Sequence, residues 1–378
     1  MSRGPAGLLA LEDGSVFRGV GFGAAGEAFG EAVFNTGAVG YQEVLTDPSY
    51  AGQVVAMTGP HQGVYGTNDE DPESSRVHVR GFVVREAARR ASSWRSRRGL
   101  REELEAADVV GLEGVDTRRL TLRIREHGAM RCGLSTLDLD PGSLIERVRA
   151  QPRMEGADLA GGVSTARPYE AREEVGPANA GRPVLRVAVL DFGLKRNILR
   201  RMAASGMEAT VFPARWPARR IVEDGYDGAV LSNGPGDPAA TSYGIEAARG
   251  LLGRLPVLGI CLGHQLLGLA LGGRTYKMPF GHRGINQPVQ DLRTGRVEIT
   301  SHNHGFALDP GEWTSEGTIG RTPGGGVELT HRNLNDGTLE GFRCLDVPAL
   351  SIQFHPEAAP GPHDARPIFE EFRELMAA

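Results

Sequence analysis

The spacing of hydrophobic residues changes near residue 184 and divides the chain into two parts. Beyond this point short apolar runs, bounded by Gly and Pro, alternate with longer amphipathic segments. The apolar runs predict strands at 184–190, 209–212, 228–232 and 256–260. The amphipathic segments predict helices at 195–204 and 242–252. This alternation is typical of the α/β fold class, with a mostly parallel sheet flanked by helices.

The first 150 residues follow a different pattern, in which short strand-like segments prevail. Two alternating segments joined by Asp13-Gly14 predict a β-hairpin. The pattern further predicts, in chain order, a strand-like stretch at 40–50, a partly helical Arg-rich segment at 85–101 and a helix from about 116 to 127. We therefore expect a β-rich α/β domain over residues 1–150.

Residues 151–183 are rich in Gly and Pro and poor in large apolar side chains, which is the composition of a linker. A second domain would then extend over residues 184–378. After Tyr276 its pattern becomes rich in strands, and a helix at about 368–376 ends the chain.

One cysteine lies where a predicted strand changes into a predicted helix. The apolar run 256–260 stops there, and apolar residues recur at helical spacing from Leu262 onward. Gly259 and Gly263 flank Cys261 two residues away on each side, where side chains would collide in a sharp bend. This is the layout of a nucleophile elbow, in which the helix N-terminus favours the thiolate. The alternative is a small buried cysteine packed behind the strand, which does not require both glycines.

A thiol nucleophile needs a base, and the base needs an orienting acceptor. His355-Pro356-Glu357 directly follows an apolar run that predicts a strand at 350–354. Residues two apart on an extended segment project to the same side, so Glu357 can reach the ring of His355. Taken alone, the tripeptide could be a turn that ends a strand. Weaker candidates for the base are His264, His302 and His304.

The loop Ser232–Pro238 follows a predicted strand and contains Gly234 and Gly236. Glycines let main-chain N–H groups face a substrate, which suits an oxyanion hole. The N–H of Leu262, directly after the cysteine, is the natural second donor. An ordinary Gly-Pro turn is the alternative for this loop.

The composition excludes several classes of function. The net charge is −5, which gives no electrostatic reason to bind nucleic acid or an anionic membrane. Lys195 and Lys277 are the only lysines, and neither lies in a phosphate-binding P-loop. The three cysteines lack paired spacing, and no apolar run has the length of a membrane span. We therefore expect a cytoplasmic protein without disulfides, a metal or a membrane anchor.

Motifs in both halves resemble known families. The second half contains Asn-Gly-Pro-Gly-Asp-Pro, Gly-Ile-Cys-Leu-Gly-His-Gln and His-Pro-Glu, at 233–238, 259–265 and 355–357. In this order they resemble a class I glutamine amidotransferase domain. The first half contains Gly-Tyr-Gln-Glu-Val-Leu-Thr-Asp-Pro-Ser-Tyr, Gly-Val-Asp-Thr-Arg-Arg-Leu-Thr and Gly-Ala-Met-Arg-Cys-Gly, at 40–50, 114–121 and 128–133. These stretches are similar to the N-terminal domain of the carbamoyl-phosphate synthetase small chain, so the resemblance spans nearly the whole chain.

The resemblance implies that Cys261 attacks the side-chain amide of L-glutamine and forms a γ-glutamyl thioester. His355 would transfer the protons, and Glu357 would orient its ring. The residues that the resemblance assigns to glutamine binding are Ser49 from the first domain and Gly234, Gly236, Leu262, Gln265, Asn303, Gly305 and Phe306.

The same resemblance implies a hetero-oligomer with a large subunit that binds ATP, Mg and bicarbonate. Ammonia would pass to that subunit through a tunnel and enter carbamoyl phosphate, a precursor in arginine and pyrimidine biosynthesis. The small chain itself would need no cofactor. Four residues depart from the family pattern: Ala38, Val39 and Val64, and His302 at a position where Gln is expected.

Three rival functions remain at this point. The chain could be the glutaminase subunit of another glutamine-dependent synthase, but residues 1–150 would then be unexplained. It could be a standalone cysteine hydrolase, which leaves the same domain unexplained. It could be a non-catalytic regulatory subunit, although Cys261, His355 and Glu357 are all present.

Overall fold

The computed structural model describes residues 4–179, 181–311, 313 and 317–377. The chain forms two compact units. Unit 1 extends to Glu155 and includes the later segment Met278–Gly284, and unit 2 comprises Gly156–Lys277 and Ile285–Ala378. None of the helices in the described ranges combines the length and the apolar character needed to traverse a bilayer.

Unit 1 is built around a closed barrel of seven strands. The strands of the whole unit, including two outside the barrel, are β1 (Ala6–Leu11), β2 (Val16–Gly23), β3 (Glu27–Asn35), β4 (Gln53–Met57), β5 (His61–Gln62), β6 (Gly81–Val83), β7 (Glu86–Ala87), β8 (Val110–Glu113) and β9 (Met130–Ser135). The barrel order is β1-β2-β8-β6-β4-β3-β9, and β5 pairs with β7 apart from it. From residue 4 onward, the helices that accompany the barrel are α1 (Tyr41–Thr46), α2 (Leu100–Ala106), α3 (Thr117–His127) and α4 (Pro141–Arg149).

The hairpin and the helix predicted in this unit are confirmed, and two local predictions are wrong. Asp116 accepts a hydrogen bond from the N–H of Arg119 and caps α3, which ends at Gly128 with φ 89°. The stretch 40–50 forms α1 and a 3₁₀ turn instead of a strand. Residues 85–98 contain no helix, and α2 begins only at Leu100. The β-branched and aromatic residues at 40–50 suggested a strand, but Leu45 and Tyr50 bury one side of a helical turn instead.

Unit 2 contains a large sheet between two layers of helices. Its strands are β10 (Tyr169–Glu170), β11 (Leu185–Asp191), β12 (Met207–Pro213), β13 (Gly228–Leu231), β14 (Val257–Ile260), β15 (Arg274–Asp291, whose middle belongs to unit 1), β16 (Val297–Asp309), β17 (Ile319–Thr322), β18 (Gly325–Asn333), β19 (Leu339–Cys344) and β20 (Ala349–Ile352). Its helices are α5 (Ala160–Val163), α6 (Arg172–Val175), α7 (Arg196–Ala204), α8 (Ala218–Glu223), α9 (Ser242–Leu251), α10 (Leu262–Ala270) and α11 (Ile368–Ala377).

The parallel strands predicted from the sequence lie in the middle of this sheet. Strands β12, β11, β13, β14 and β20 are parallel neighbours in that order. Short β10 adds to one edge in antiparallel fashion, and the β-rich C-terminal part adds antiparallel strands from β19 onward. The predicted α/β fold class, with helices flanking the sheet, is confirmed.

Both faces of the sheet are buried. One face packs against α9 and α10 through residues such as Leu231, Leu266 and Phe342. The other packs against α7 and α11 through residues such as Val189, Ile198 and Phe372. Two-sided burial explains the nearly continuous apolar runs of the parallel strands. The stretch 151–183, for which a linker was predicted, carries α5, β10 and α6, and β10 pairs with β12 of unit 2.

Candidate active site

Cys261 lies on the sharp turn between β14 and α10. Its backbone has φ 54° and ψ −103°, a conformation that residues other than glycine rarely adopt. Three main-chain hydrogen bonds hold it: Cys261 N–H donates to the carbonyl of Ile352 at 2.9 Å, the N–H of Gly263 to Ser232 at 3.0 Å, and the N–H of Gln265 back to Cys261 at 3.2 Å. The strained turn aims the thiol beyond the carboxyl end of the strand.

The two flanking glycines are required by close backbone approach. A Cβ atom on Gly263 would lie 2.0 Å from the carbonyl oxygen of Leu231. A Cβ atom on Gly259 would lie 2.6 Å from the carbonyl oxygen of Gly263. Neither neighbour is the flexible end of a side chain, so the backbone itself would have to move. The glycine pattern around Cys261 therefore reflects the packing of β13, β14 and α10.

We expect Gly263→Ala to lower the free energy of unfolding by about 3 kcal/mol or more, because the new methyl group overlaps the Leu231 carbonyl. Urea denaturation of both proteins would measure the change. Gly162→Ala is the matched control, since a Cβ there meets no atom within 4 Å. Equal stability of the two variants would contradict the packing argument.

His355 and Glu357 follow β20, the parallel neighbour of β14, so both groups emerge beside Cys261. The Nδ1 atom of His355 lies 2.7 Å from Oε1 of Glu357. The ammonium of Lys195 donates to the same oxygen, also at 2.7 Å. Asn197 donates its side-chain N–H to the main-chain carbonyl of Glu357. Glu357 is completely buried and His355 nearly so.

The charges of this buried group determine its protonation. Burial lowers the pKa of His355, as does the Lys195 ammonium, but Glu357 and Cys261 outweigh both and raise this pKa to about 10. Burial raises the pKa of Glu357, but Lys195 and His355 reverse this and bring it to about 2. The carboxylate therefore stays ionised and the imidazole holds a proton readily. A proton on Nε2 of His355 is available for transfer.

We expect Lys195→Met to lower the free energy of unfolding by about 3 kcal/mol at pH 7, because a buried carboxylate loses a charge partner. The depressed pKa of Glu357 gives stability that is present above the unfolded value near 4.5 and is lost as the pH falls toward 2. Without Lys195 this loss should begin at higher pH. Urea unfolding between pH 3 and 7 would measure it, with Lys277→Met as control. A parallel pH dependence in all three proteins would argue against the charge pair.

The thiol of Cys261 is surrounded by polar groups of neighbouring strands. Its Sγ lies 3.7 Å from the carbonyl oxygen of Asn303 on β16 and accepts a hydrogen bond from Nε2 of Gln353 at 3.5 Å. It is 2% exposed and also acts on His355 electrostatically. The thiol thus lies among hydrogen-bonding groups instead of among apolar side chains alone.

Several residues predicted to bind glutamine lie around this centre. Gln265 on α10 donates from Nε2 to the carbonyl of Phe306 at 2.7 Å and to Oε1 of Gln353 at 2.8 Å. Asn303, Gly305 and Phe306 all belong to β16. Ser49 belongs to unit 1, where its N–H is bound by Asp47 in a 3₁₀ turn.

The loop after β13 approaches other main chains closely. A Cβ atom on Gly234 would lie 2.1 Å from the carbonyl oxygen of Phe192. Gly236 has φ 96°, and a Cβ there would lie 2.6 Å from the carbonyl oxygen of Ala157. Ser232 accepts from the N–H of Phe192 at 2.9 Å. The glycines are therefore needed for the loop conformation. Leu262 is the first residue of α10.

His264 hydrogen-bonds locally, as expected for a residue on the same helix as the thiol. Its Nδ1 lies 2.9 Å from Oγ of Ser351, and burial lowers its pKa to about 3. The ring is therefore neutral and bound by a neighbouring strand.

Sequence reasoning missed Lys195, Asn197 and Gln353 as members of this group. Lys195 carried a signal, because it is one of two lysines and is the first residue of a predicted helix. Gln353 could have been found by strand periodicity, since it lies two residues before His355 and projects to the same side. Asn197 had no distinguishing pattern.

Comparison with known proteins adds the family. Residues 9–134 match the model described as "Carbamoyl-phosphate synthase small chain, CPSase domain", and residues 188–375 match "Glutamine amidotransferase class-I". A carbamoyl phosphate synthase small chain of Syntrophotalea carbinolica is 51% identical over 98% of this chain and 97% of its own length. The chain belongs to the carbamoyl phosphate synthase small-chain family. Small chains of Thermotoga maritima and Streptomyces avermitilis are 51% and 52% identical over 98% of this chain, and over 98% and 95% of their own lengths.

The small-chain family accounts for both halves of the molecule. The match over residues 9–134 covers nearly all of the barrel of unit 1. The amidotransferase match comprises the strands that carry Cys261 and His355.

Proposed function

We propose that this chain hydrolyses L-glutamine through a Cys261–His355–Glu357 triad and delivers the ammonia to a large subunit that makes carbamoyl phosphate. The observation that carries the proposal is the position of the three groups at the carboxyl ends of adjacent parallel strands. Cys261 follows β14 on a strained turn, and the hydrogen-bonded pair His355 and Glu357 follows β20. Membership in the small-chain family supports the glutaminase role.

Transfer of the thiol proton to His355 gives a thiolate–imidazolium pair, and in the first half-reaction the Sγ thiolate of Cys261 attacks the side-chain amide carbon of glutamine. The tetrahedral intermediate collapses as its C–N bond breaks and His355 returns the proton to the leaving ammonia. A γ-glutamyl thioester remains on the thiol. His355 then activates a water molecule, which attacks the thioester and releases glutamate and the free thiol. Glu357 keeps the imidazole oriented and supports its positive charge.

The oxyanion of both tetrahedral intermediates would be stabilised by main-chain N–H groups. Leu262 supplies one at the N-terminus of α10, and Gly234 supplies another from the loop after β13. The absence of a side chain on Gly234 lets its backbone approach closely. In this scheme the positive end of α10 favours the developing negative charge.

The glutamine itself would be held by the remaining predicted residues. Asn303 contacts the thiol through its main-chain carbonyl, and Gln265 is hydrogen-bonded to the carbonyl of Phe306 on the same strand. Gly236 and Gly305 would supply main-chain groups. The contact of Ser49 with glutamine stays a prediction from the resemblance.

The partner would be a large subunit, in a hetero-oligomer, that supplies ATP, Mg and bicarbonate chemistry. The lack of a P-loop in this chain is consistent with nucleotide chemistry in another polypeptide. We further propose a cytoplasmic location, because the three cysteines, all free, suit a reducing compartment.

Trapping of the thioester tests the proposal directly. The chain, alone and with the large subunit, is incubated with radiolabelled glutamine, quenched in acid and digested with trypsin. We expect label on the peptide 255–274, which contains Cys261, whereas Cys132 and Cys344 fall in other peptides. When the large subunit is present, glutamine-dependent carbamoyl phosphate synthesis should accompany the labelling of this peptide.

Each remaining outcome identifies a different error. Label without carbamoyl phosphate synthesis would support a glutaminase of another synthase. Label on another peptide would refute Cys261 as nucleophile. The absence of both label and ammonia release with the partner would favour the regulatory role.

A further inference from the structure

Strand β16 carries two histidines that take no part in the proposed reaction. His302 and His304 are two residues apart, so their rings project to the same side of the strand. Glu340 on β19 lies beside them. All three are buried, with 2%, 5% and 0% of their surface exposed. A buried pair of imidazoles beside a carboxylate requires a chemical explanation, because such groups are costly to desolvate.

The hydrogen bonds on the outer side of each ring fix where its proton lies. The hydroxyl of Thr300 donates to the carbonyl of Gln287 at 2.9 Å, so it accepts from Nε2–H of His302 at 2.7 Å. The carbonyl of Phe306 can only accept, so Nδ1–H of His304 donates to it at 2.8 Å. Both rings therefore direct their donors outward.

The inner nitrogens consequently direct lone pairs toward each other. Nδ1 of His302 and Nε2 of His304 are 3.1 Å apart, and Oε2 of Glu340 lies 3.8 Å from Nδ1 of His302. Three potential ligand atoms converge here, and a cation at this point would be attracted by all of them. The outer contacts of the rings are those that orient histidines when they bind metals.

We propose that His302, His304 and Glu340 bind a divalent transition-metal ion of the zinc class. Their ligand atoms belong to a buried group in which all such atoms lie within 4.8 Å of one another. Two nitrogens bound at about 2.0–2.1 Å to tetrahedral Zn²⁺ are about 3.3 Å apart, close to the spacing here. Two imidazoles and one carboxylate suit zinc better than Mg²⁺ or Ca²⁺, which prefer all-oxygen sites.

The ion would brace the strand that borders the proposed nucleophile. Asn303 lies between the two histidines, and its carbonyl oxygen is the one 3.7 Å from Sγ of Cys261. The metal would therefore be structural, at a distance from the reacting atoms, and its binding does not depend on the glutaminase proposal.

Metal titration of the full chain tests the site. The parent protein carries Cys261→Ser, so that the thiol cannot bind the ion. Zn²⁺ is added in competition with a chromophoric chelator, and Co²⁺ is added separately to record its visible absorption. We expect one equivalent of tightly bound Zn²⁺ and the intense bands of four- or five-coordinate Co²⁺.

His302→Gln in the same background removes one ligand but retains a hydrogen-bonding side chain. We expect it to weaken Zn²⁺ binding by about 100-fold or more and to abolish the Co²⁺ bands. His61→Gln, at an exposed histidine of unit 1, should leave both unchanged. If His302→Gln does not fold by circular dichroism, Glu340→Gln takes its place.

No stoichiometric binding by the parent, or binding that persists unchanged in His302→Gln and Glu340→Gln, would overturn the proposal. In the absence of stoichiometric binding by the parent, a shared proton would join the rings of His302 and His304 instead of a metal ion.

Discussion

Replacement of Cys261 by Ser should lower glutamine-dependent ammonia release by about 10⁴-fold or more. A serine hydroxyl in the same position has a far higher pKa than a thiol and no comparable nucleophilicity, so the thioester cannot form. The fold should persist, because Ser replaces a side chain that is small and already surrounded by hydrogen-bonding groups. Ammonia release is measured with a coupled glutamate dehydrogenase assay, with and without the large subunit.

Cys344→Ser is the matched control for the loss of a thiol, since Cys344 lies at the end of β19 and is half-buried. Its ammonia release should equal that of the wild type. A Cys261→Ser protein that releases ammonia at more than about one per cent of the wild-type rate would exclude the covalent mechanism.

Replacement of His355 by Asn should lower the same rate by about 10³- to 10⁴-fold, because the thiol loses its base and the ammonia loses its proton donor. The wild-type ring holds its proton readily, since Glu357 and Cys261 raise its pKa to about 10 against burial and Lys195. A group with a raised pKa keeps its proton below that value and loses it above. Wild-type activity that depends on the imidazolium should therefore decline only at strongly alkaline pH, and the residual rate of His355→Asn should lack this limb.

A pH–rate profile of kcat from pH 6 to 10.5 would measure both effects. His127→Asn is the control, since His127 is partly exposed at the end of α3 and should leave the profile unchanged. An alkaline limb that is retained in His355→Asn would assign the titration to another group.

The parts of the site that are local in sequence were predictable. The strand-to-helix turn at Cys261 could be predicted because two glycines and a change of hydrophobic period occur within a few residues. The partnership of His355 and Glu357 followed from their spacing on an extended segment, and their hydrogen bond has that geometry. The parallel strands of unit 2 were predictable because burial on both faces makes them continuously apolar.

The parts that depend on distant contacts were not predictable. The salt bridge joins Lys195, at the start of α7, to Glu357, in the segment after β20, and no local pattern encodes a contact between residues 162 positions apart. The helix α1 was missed because its tertiary environment outweighs the β propensity of its residues. The meeting of His302 and His304 with Glu340 required the register of the antiparallel part of the sheet, which alternation alone does not fix.

The adjacency of β14 and β20 determines when the site can assemble during synthesis of the chain. Gln353 touches Cys261, yet the two residues are 92 positions apart along the chain. During synthesis from the N-terminus, the strand with the thiol emerges long before the strand that brings its base. A ribosome-bound or truncated chain that ends before β20 would therefore contain the proposed nucleophile without its proposed base. Under the proposed mechanism, glutamine hydrolysis would begin only once the last few dozen residues have joined the sheet, so that unfinished chains would not hydrolyse glutamine.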